Sequence, residues 1–169
     1  SLCGEIVAVQ AFASNATRSF AVEDTVAINL RFANGALGNF LLSDTAASAR
    51  SWEQTSRENT SYATYPDEDC YVIVGTRGSL SVPTMRVKRY ERDSDRSWWK
   101  AMPAEVAAVD RSDPLVAQLM HFCALIRGET RPLVSVRDGL MNLRVTEAIA
   151  EAARTGNMVT IPNALSEAA

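Results

Sequence analysis

The residues whose types and spacing could do chemistry lie close together in the middle of the chain: Asp44 and Thr45, followed by Trp52 and Glu53. A large aromatic beside carboxylates in a polar loop can stack on the apolar face of a sugar or polyol and accept hydrogen bonds from its hydroxyls. Trp52 can equally serve only to pin the loop onto the domain, and spacing alone does not choose between the two. Other titratable groups point to ordinary roles. His121, the one histidine, sits beside Phe122 with no second titratable group at i±4 on its face, so it reads as a helix-surface or interface residue rather than a base. Asp67-Glu68-Asp69 reads as a solvated run, because three consecutive acids cannot all face one metal. Cys3, Cys70 and Cys123 form no CxxC pair, which supports neither zinc nor a disulfide framework and fits a reducing, cytoplasmic compartment. Gly75-Thr76-Arg77-Gly78 is the nearest approach to a phosphate loop. It lies between two strand-like runs, lacks the following helix that would hold an anion, and reads as a hairpin loop. With no GxGxxG and no GxxxxGK[ST], the chain offers no nucleotide site, no metal site and no catalytic constellation of its own.

These side chains must be positioned by the elements around them. Strand patterns fill most of the first hundred residues: 5–12, 25–33, 36–44, 70–74, 79–82, 85–90 and 98–102. Asn34-Gly35 between two of them predicts a type I′ hairpin, pairing Ala33 with Ala36, Phe32 with Leu37 and Asn29 with Phe40. That register puts Val26, Ile28, Leu30, Phe32, Leu37 and Leu41 on one face and Ala27, Phe40 and Leu42 on the other. Residues 45–69 read as a loop, long enough to be functional. Two helices follow. One is capped by Asp113-Pro114 and stopped at Gly128; the other starts from a Ser135/Asp138 capping box and stops at Gly156. Residues 158–161 form a closing strand and 163–169 a tail. The pattern predicts an α+β fold, a largely antiparallel open sheet with two C-terminal helices on one face. Its other face, bearing Ala27, Phe40 and Leu42, is left for another domain or a second copy of the chain.

The chain has 169 residues, 47% hydrophobic and 22% charged, which suits one soluble domain over 1–162 and not a two-domain enzyme. Seventeen basic against twenty acidic residues leave a net charge of −3, no footprint for nucleic acid. No apolar run is long enough to span a membrane. The opening Ser1-Leu2-Cys3-Gly4 is not a secretory signal, and without an initiator Met the sequence reads as an excised fragment.

Several pieces in order resemble the C-terminal domain of the Gfo/Idh/MocA oxidoreductase family (glucose-fructose oxidoreductase, inositol dehydrogenase and a rhizopine-catabolism protein). They are Leu2-Cys3-Gly4-Glu5, Glu23-Asp24-Thr25, Phe32-Ala33-Asn34-Gly35-Ala36-Leu37-Gly38, Gly75-Thr76-Arg77-Gly78-Ser79-Leu80 and the ending from His121-Phe122 through Pro132-Leu133-Val134-Ser135 to Gly156. The resemblance implies a glyceraldehyde-3-phosphate-dehydrogenase-like C-terminal domain that supplies substrate contacts and subunit association to an NAD(P)-dependent enzyme acting on a sugar, polyol or related hydroxyl compound. NAD or NADP would be held by a Rossmann domain absent from this chain. The family's Lys of a Glu-Lys-Pro stretch and its Asp-x-x-x-His motif fall outside the chain, so no catalytic residue is inherited. Carry-over reaches the Ser43 to Thr45 strand end and, more loosely, Trp52 and Glu53. The implied partners are a small-molecule substrate and further copies of the chain. A non-enzymatic association module using the open sheet face is the alternative.

Overall fold

The computed structural model describes residues 3–109 and 112–162. Chain contacts divide it into two compact units, 1–46 with 132–169, and 47–131. The expected tail, 163–169, lies outside the described residues.

The first unit is a four-stranded antiparallel sheet in the order β3-β2-β1-β8, from β1 (Ile6–Ser14), β2 (Thr25–Phe32), β3 (Leu37–Ser43) and β8 (Val159–Thr160), together with helix α3 (Val136–Thr155). Val9, Ala11 and Ile28 turn one sheet face toward Ala148 and Ala152 of α3. Alanines at i and i+4 leave no side chain to hold the helix away, so Val145 and Ile149 also reach this core. Burying Val9 or Ile28 contributes about 1.5–3 kcal/mol each. α3 begins as its sequence predicts. The Ser135 hydroxyl accepts from the Asp138 N–H at 3.2 Å while the Asp138 carboxylate accepts from the Ser135 N–H at 2.8 Å. It ends at Gly156 in the left-handed region, φ +73.

The hairpin register departs from the expectation by one residue: Arg31 faces Leu37, Leu30 faces Gly38 and Ile28 faces Phe40. Of the two turn residues, only Gly35 has positive φ (+87). The Phe32 carbonyl accepts from Gly35 N–H at 3.0 Å and Phe32 N–H donates to the Ala36 carbonyl at 2.9 Å. This is a type I turn closed by a glycine bulge, which inserts one residue relative to a type I′ turn. Asn34 sets the choice by accepting from the Ala36 N–H at 3.0 Å. The slip exchanges faces. Phe40 and Leu42 join Val26, Ile28 and Leu30 on the α3 side, and Leu42 lines a groove of about 540 Å³ with Val26, Ile28, Ile149 and Ala153. The far face instead carries Ala27, Leu37 and Leu41, with Phe12 opposite Ala27.

The second unit holds a four-stranded antiparallel sheet of β4 (Tyr71–Val74), β5 (Gly78–Val82), β6 (Arg86–Arg89) and β7 (Ala104–Val106), with helices α1 (Trp52–Ser56) and α2 (Pro114–Ile126). The α+β class is as expected, with the strands shared between two sheets. α2 starts where Asp113 Oδ1 accepts from the Leu115 and Val116 N–H groups at 2.9 and 3.2 Å. It buries none of its residues, and α3 is the helix that covers a sheet. The strand expected at 98–102 lies at 104–106 instead. Ser97 makes the difference: its hydroxyl accepts from Trp99 N–H at 3.1 Å and its carbonyl from the Tyr90 hydroxyl at 2.7 Å. Those bonds bend the chain into a turn that leaves Trp98 and Trp99 fully exposed.

Candidate functional site

The site residues fall in both units, and each group is built from its own surroundings. In the first unit, Asp44 and Thr45 follow the last residue of β3, where Thr25 pairs with Ser43. The strand end is organised by Asp24, 6% exposed, which precedes β2. Its Oδ2 accepts from the Thr17 and Arg18 N–H groups, both at 3.0 Å, and its Oδ1 accepts from the Thr25 hydroxyl at 3.1 Å. The Arg18 N–H, with the Thr25 hydroxyl and the Thr17 N–H, outweighs burial and holds the Asp24 carboxyl below the usual Asp range. The loop between β1 and β2 is thereby fixed to the start of β2, and it delivers Arg18 to Asp44. Arg18 Nη2 donates to the Asp44 carbonyl at 3.0 Å and lies 3.4 Å from Asp44 Oδ2. Both side chains are well exposed, so this pair adds little stability; its effect is to orient Asp44.

A chain of hydroxyls continues inward from Thr45. Thr45 Oγ1 lies 3.1 Å from Ser43 Oγ, which lies 2.9 Å from Thr25 Oγ1. Ser43 Oγ also accepts from the Thr45 and Ala46 N–H groups at 3.2 and 3.1 Å, curling the backbone after β3. Asp44 and Thr45 thus stand side by side on a strand end held by main-chain and side-chain bonds.

In the second unit, Trp52 opens α1, a short helix inside the segment expected to be a loop. Ser51 caps it, accepting from Gln54 N–H at 3.2 Å. The Trp52 indole N–H donates to Glu58 Oε2 at 2.8 Å, and its ring meets that of Tyr71, centroids 6.0 Å apart and tilted by 40°. Trp52 therefore does pin the loop, with its polar edge committed to Glu58. Burial, with the nearby charges of Cys70 and Glu53, raises the Tyr71 phenol above its usual value. Glu53 is exposed in the first turn of α1.

The acidic run is structural. Asp69 accepts from the Thr84 hydroxyl and N–H at 2.6 and 3.1 Å and pairs with Arg86 at 2.7 Å, while Glu68 pairs with Arg50 at 3.0 Å. Burial opposes ionisation of Asp69, but these donors prevail and lower its pKa. Gly75-Thr76-Arg77-Gly78 closes the β4–β5 hairpin, with Gly75 N–H donating to the Gly78 carbonyl at 2.8 Å. Strands flank it on both sides, so it does not fit a dinucleotide pyrophosphate. Among the described residues, no three His, Cys, Asp or Glu side chains stand close enough to hold a metal ion. Sequence reading missed Arg18 as a partner of Asp44. Asp24 directly before a β-branched strand start was the available sign that the preceding loop is tied down.

Residues 1–161 match the family model described as the oxidoreductase family, C-terminal alpha/beta domain, and the chain belongs to this Gfo/Idh/MocA family. Solved structures agree in fold. The WlbA dehydrogenase of Bordetella pertussis, in complex with NADH and UDP-GlcNAcA, is 22% identical with a TM-score of 0.57, covering 96% of this chain and 41% of its own. The aldose-aldose oxidoreductase of Caulobacter crescentus, complexed with glycerol, is 25% identical with a TM-score of 0.62, covering 93% and 42%. A levoglucosan dehydrogenase in complex with NADH and levoglucosan is 19% identical with a TM-score of 0.63, covering 95% and 46%. The chain thus spans less than half the length of these proteins. No curated protein matches it. Among the described residues, no helix is long and apolar enough to cross a membrane.

Proposed function

We propose that this chain is the substrate-contacting and subunit-associating half of an NAD(P)-dependent oxidoreductase acting on a sugar, polyol or related hydroxyl compound. The match of residues 1–161 to the family's C-terminal domain carries this reading. The relatives bound to NADH support a nicotinamide cofactor, and those bound to UDP-GlcNAcA, glycerol and levoglucosan support a polyhydroxylated substrate. In the first unit Asp44 and Thr45 at the end of β3 are substrate contacts that hydrogen-bond hydroxyls; in the second unit Trp52 and Glu53 are substrate contacts, Trp52 offering an aromatic surface where it stands against Tyr71. Their role is to bind and orient. The dinucleotide is held by a Rossmann domain outside the chain, and the chain alone is inactive.

The test is to supply the enzyme carrying this domain with NAD⁺ or NADP⁺ and a panel of glucose, xylose, myo-inositol, levoglucosan and UDP-GlcNAcA, following NAD(P)H formation. Turnover of at least one member is expected, while the 169-residue chain alone gives no saturable NADH fluorescence change. Failure of the enzyme to bind either cofactor, or tight NADH binding by the chain alone, contradicts the assignment.

Association has its own support. Phe12, Leu37 and Leu41 on the far face of the first sheet are 66%, 77% and 75% exposed, an apolar set that a second copy of the chain would cover.

A further inference from the structure

Arg18 reaches the end of β3 from a loop whose backbone is tied down on both sides of it. The buried Asp24 carboxylate accepts from the Thr17 and Arg18 N–H groups at 3.0 Å each. On the other side the Ser19 N–H donates to the Asn15 carbonyl at 2.7 Å, and the Asn15 amide donates to the Phe20 carbonyl at 2.6 Å. Ser19 itself lies in the left-handed region, φ +57, which a residue with a side chain adopts only where its surroundings hold it there. What this strained loop delivers is a guanidinium beside Asp44. Nη2 donates to the Asp44 carbonyl at 3.0 Å and stands 3.4 Å from Asp44 Oδ2. The guanidinium is planar and rigid, so fixing Nη2 fixes the directions of Nη1 and Nε as well. Their N–H groups meet no acceptor among the described residues, and Asp44 Oδ1 meets no donor there. Arginine can only donate and an ionised carboxylate can only accept, so the polarity of this pair does not depend on how any hydroxyl turns.

Resting on the reading of Asp44 as a substrate contact, we propose that Arg18 is a further specificity-determining residue of that site, the donor arm of a donor–acceptor fork. Asp44 takes the proton of a substrate hydroxyl, and the free edge of Arg18 donates to an oxygen of the same or the adjacent substrate carbon. An arginine suits this role because one side of its guanidinium can hold Asp44 while another faces the ligand. Discrimination follows from the unpaired group: a substrate lacking the accepting oxygen leaves a charged donor without a partner once the site is closed.

The experiment uses the enzyme carrying this domain, the best substrate of the panel above and that substrate's monodeoxy analogues. Arg18→Ala should lower kcat/KM about tenfold or more for the parent substrate and make little difference for the one analogue that lacks the oxygen Arg18 reads. The Arg18 side chain is 43% exposed and an exposed ion pair adds little stability, so thermal melts should be unchanged. A loss of equal size for every analogue is a general disturbance and overturns the proposal. The same change made in Asp44→Ala should still lower kcat/KM for the parent about threefold or more. No further loss in that background means that Arg18 only orients Asp44, which overturns the donor role. Arg18→Lys keeps the charge without the planar fork and should remain at least about threefold below the unmodified enzyme; full recovery by lysine overturns the fork. An unaltered kcat/KM in Arg18→Ala alone removes Arg18 from the site, whereas an unaltered kcat/KM in both Arg18→Ala and Asp44→Ala removes the strand end from it altogether.

Discussion

At the scale of single residues, the influential group is one that touches no proposed ligand. Asp24 joins the β1–β2 loop, the start of β2 and, through Thr25 and Ser43, the end of β3. Its pKa is lowered in the folded chain, first by the Arg18 N–H, so ionised Asp24 stabilises the fold above the ordinary Asp value near pH 4. That stabilisation is lost as pH falls through the lower folded value. Asp69, Asp95 and Asp138 are lowered as well and contribute in the same direction. Asp24→Asn should lower Tm at neutral pH and flatten, without abolishing, the fall in Tm between about pH 5 and pH 2. Thermal melts across that range check this, and an unchanged acid slope contradicts it. Neighbours in sequence nominate Asp44, Thr45, Trp52 and Glu53 as candidates. The fixing of Asp44 by Arg18 was not readable, since it joins residues on different loops through a backbone carbonyl, and carbonyl acceptors have no side-chain signature.

At the scale of elements, two glycines behave oppositely. A Cβ on Gly78 would press on the Lys88 carbonyl oxygen and Arg89 Cα of the adjacent strand, which are backbone atoms that cannot move aside. Gly78→Ala should cost about 2 kcal/mol or more. Gly139 lies inside α3 with nothing near its would-be Cβ, so Gly139→Ala should stabilise by about 0.5–1 kcal/mol. Denaturant midpoints of the two variants check both signs. The long helices were legible because their caps are local chemistry: Asp113-Pro114 and the Ser135/Asp138 box appear as the sequence predicts. The hairpin was legible but its register was not. Asn-Gly serves both a type I′ turn and a type I turn with a bulge, and the choice was made by the Asn34 side chain bonding Ala36 N–H. α1 escaped because five residues are too few for a helical period, although Ser51 and Gln54 carried its cap.

At the scale of the whole molecule, the one-residue register change moves the proposed association surface from Phe40 and Leu42 to Leu37 and Leu41. Leu41→Asp should weaken self-association in sedimentation with little loss of stability, because Leu41 is 75% exposed. Unchanged sedimentation removes that face from the interface. The central claim is that this domain recognises the substrate of a nicotinamide-dependent oxidoreductase at the end of β3. The measurement that bears on it most directly is kcat/KM for Asp44→Ala in the enzyme carrying the domain, taken together with the Kd for its nicotinamide cofactor. Losing a hydrogen bond from a substrate hydroxyl to a charged group costs about 1–3 kcal/mol, so kcat/KM should fall roughly 5-fold to 150-fold with the cofactor Kd unchanged. An unaltered kcat/KM, or a loss matched by unfolding of the variant, would contradict the assignment.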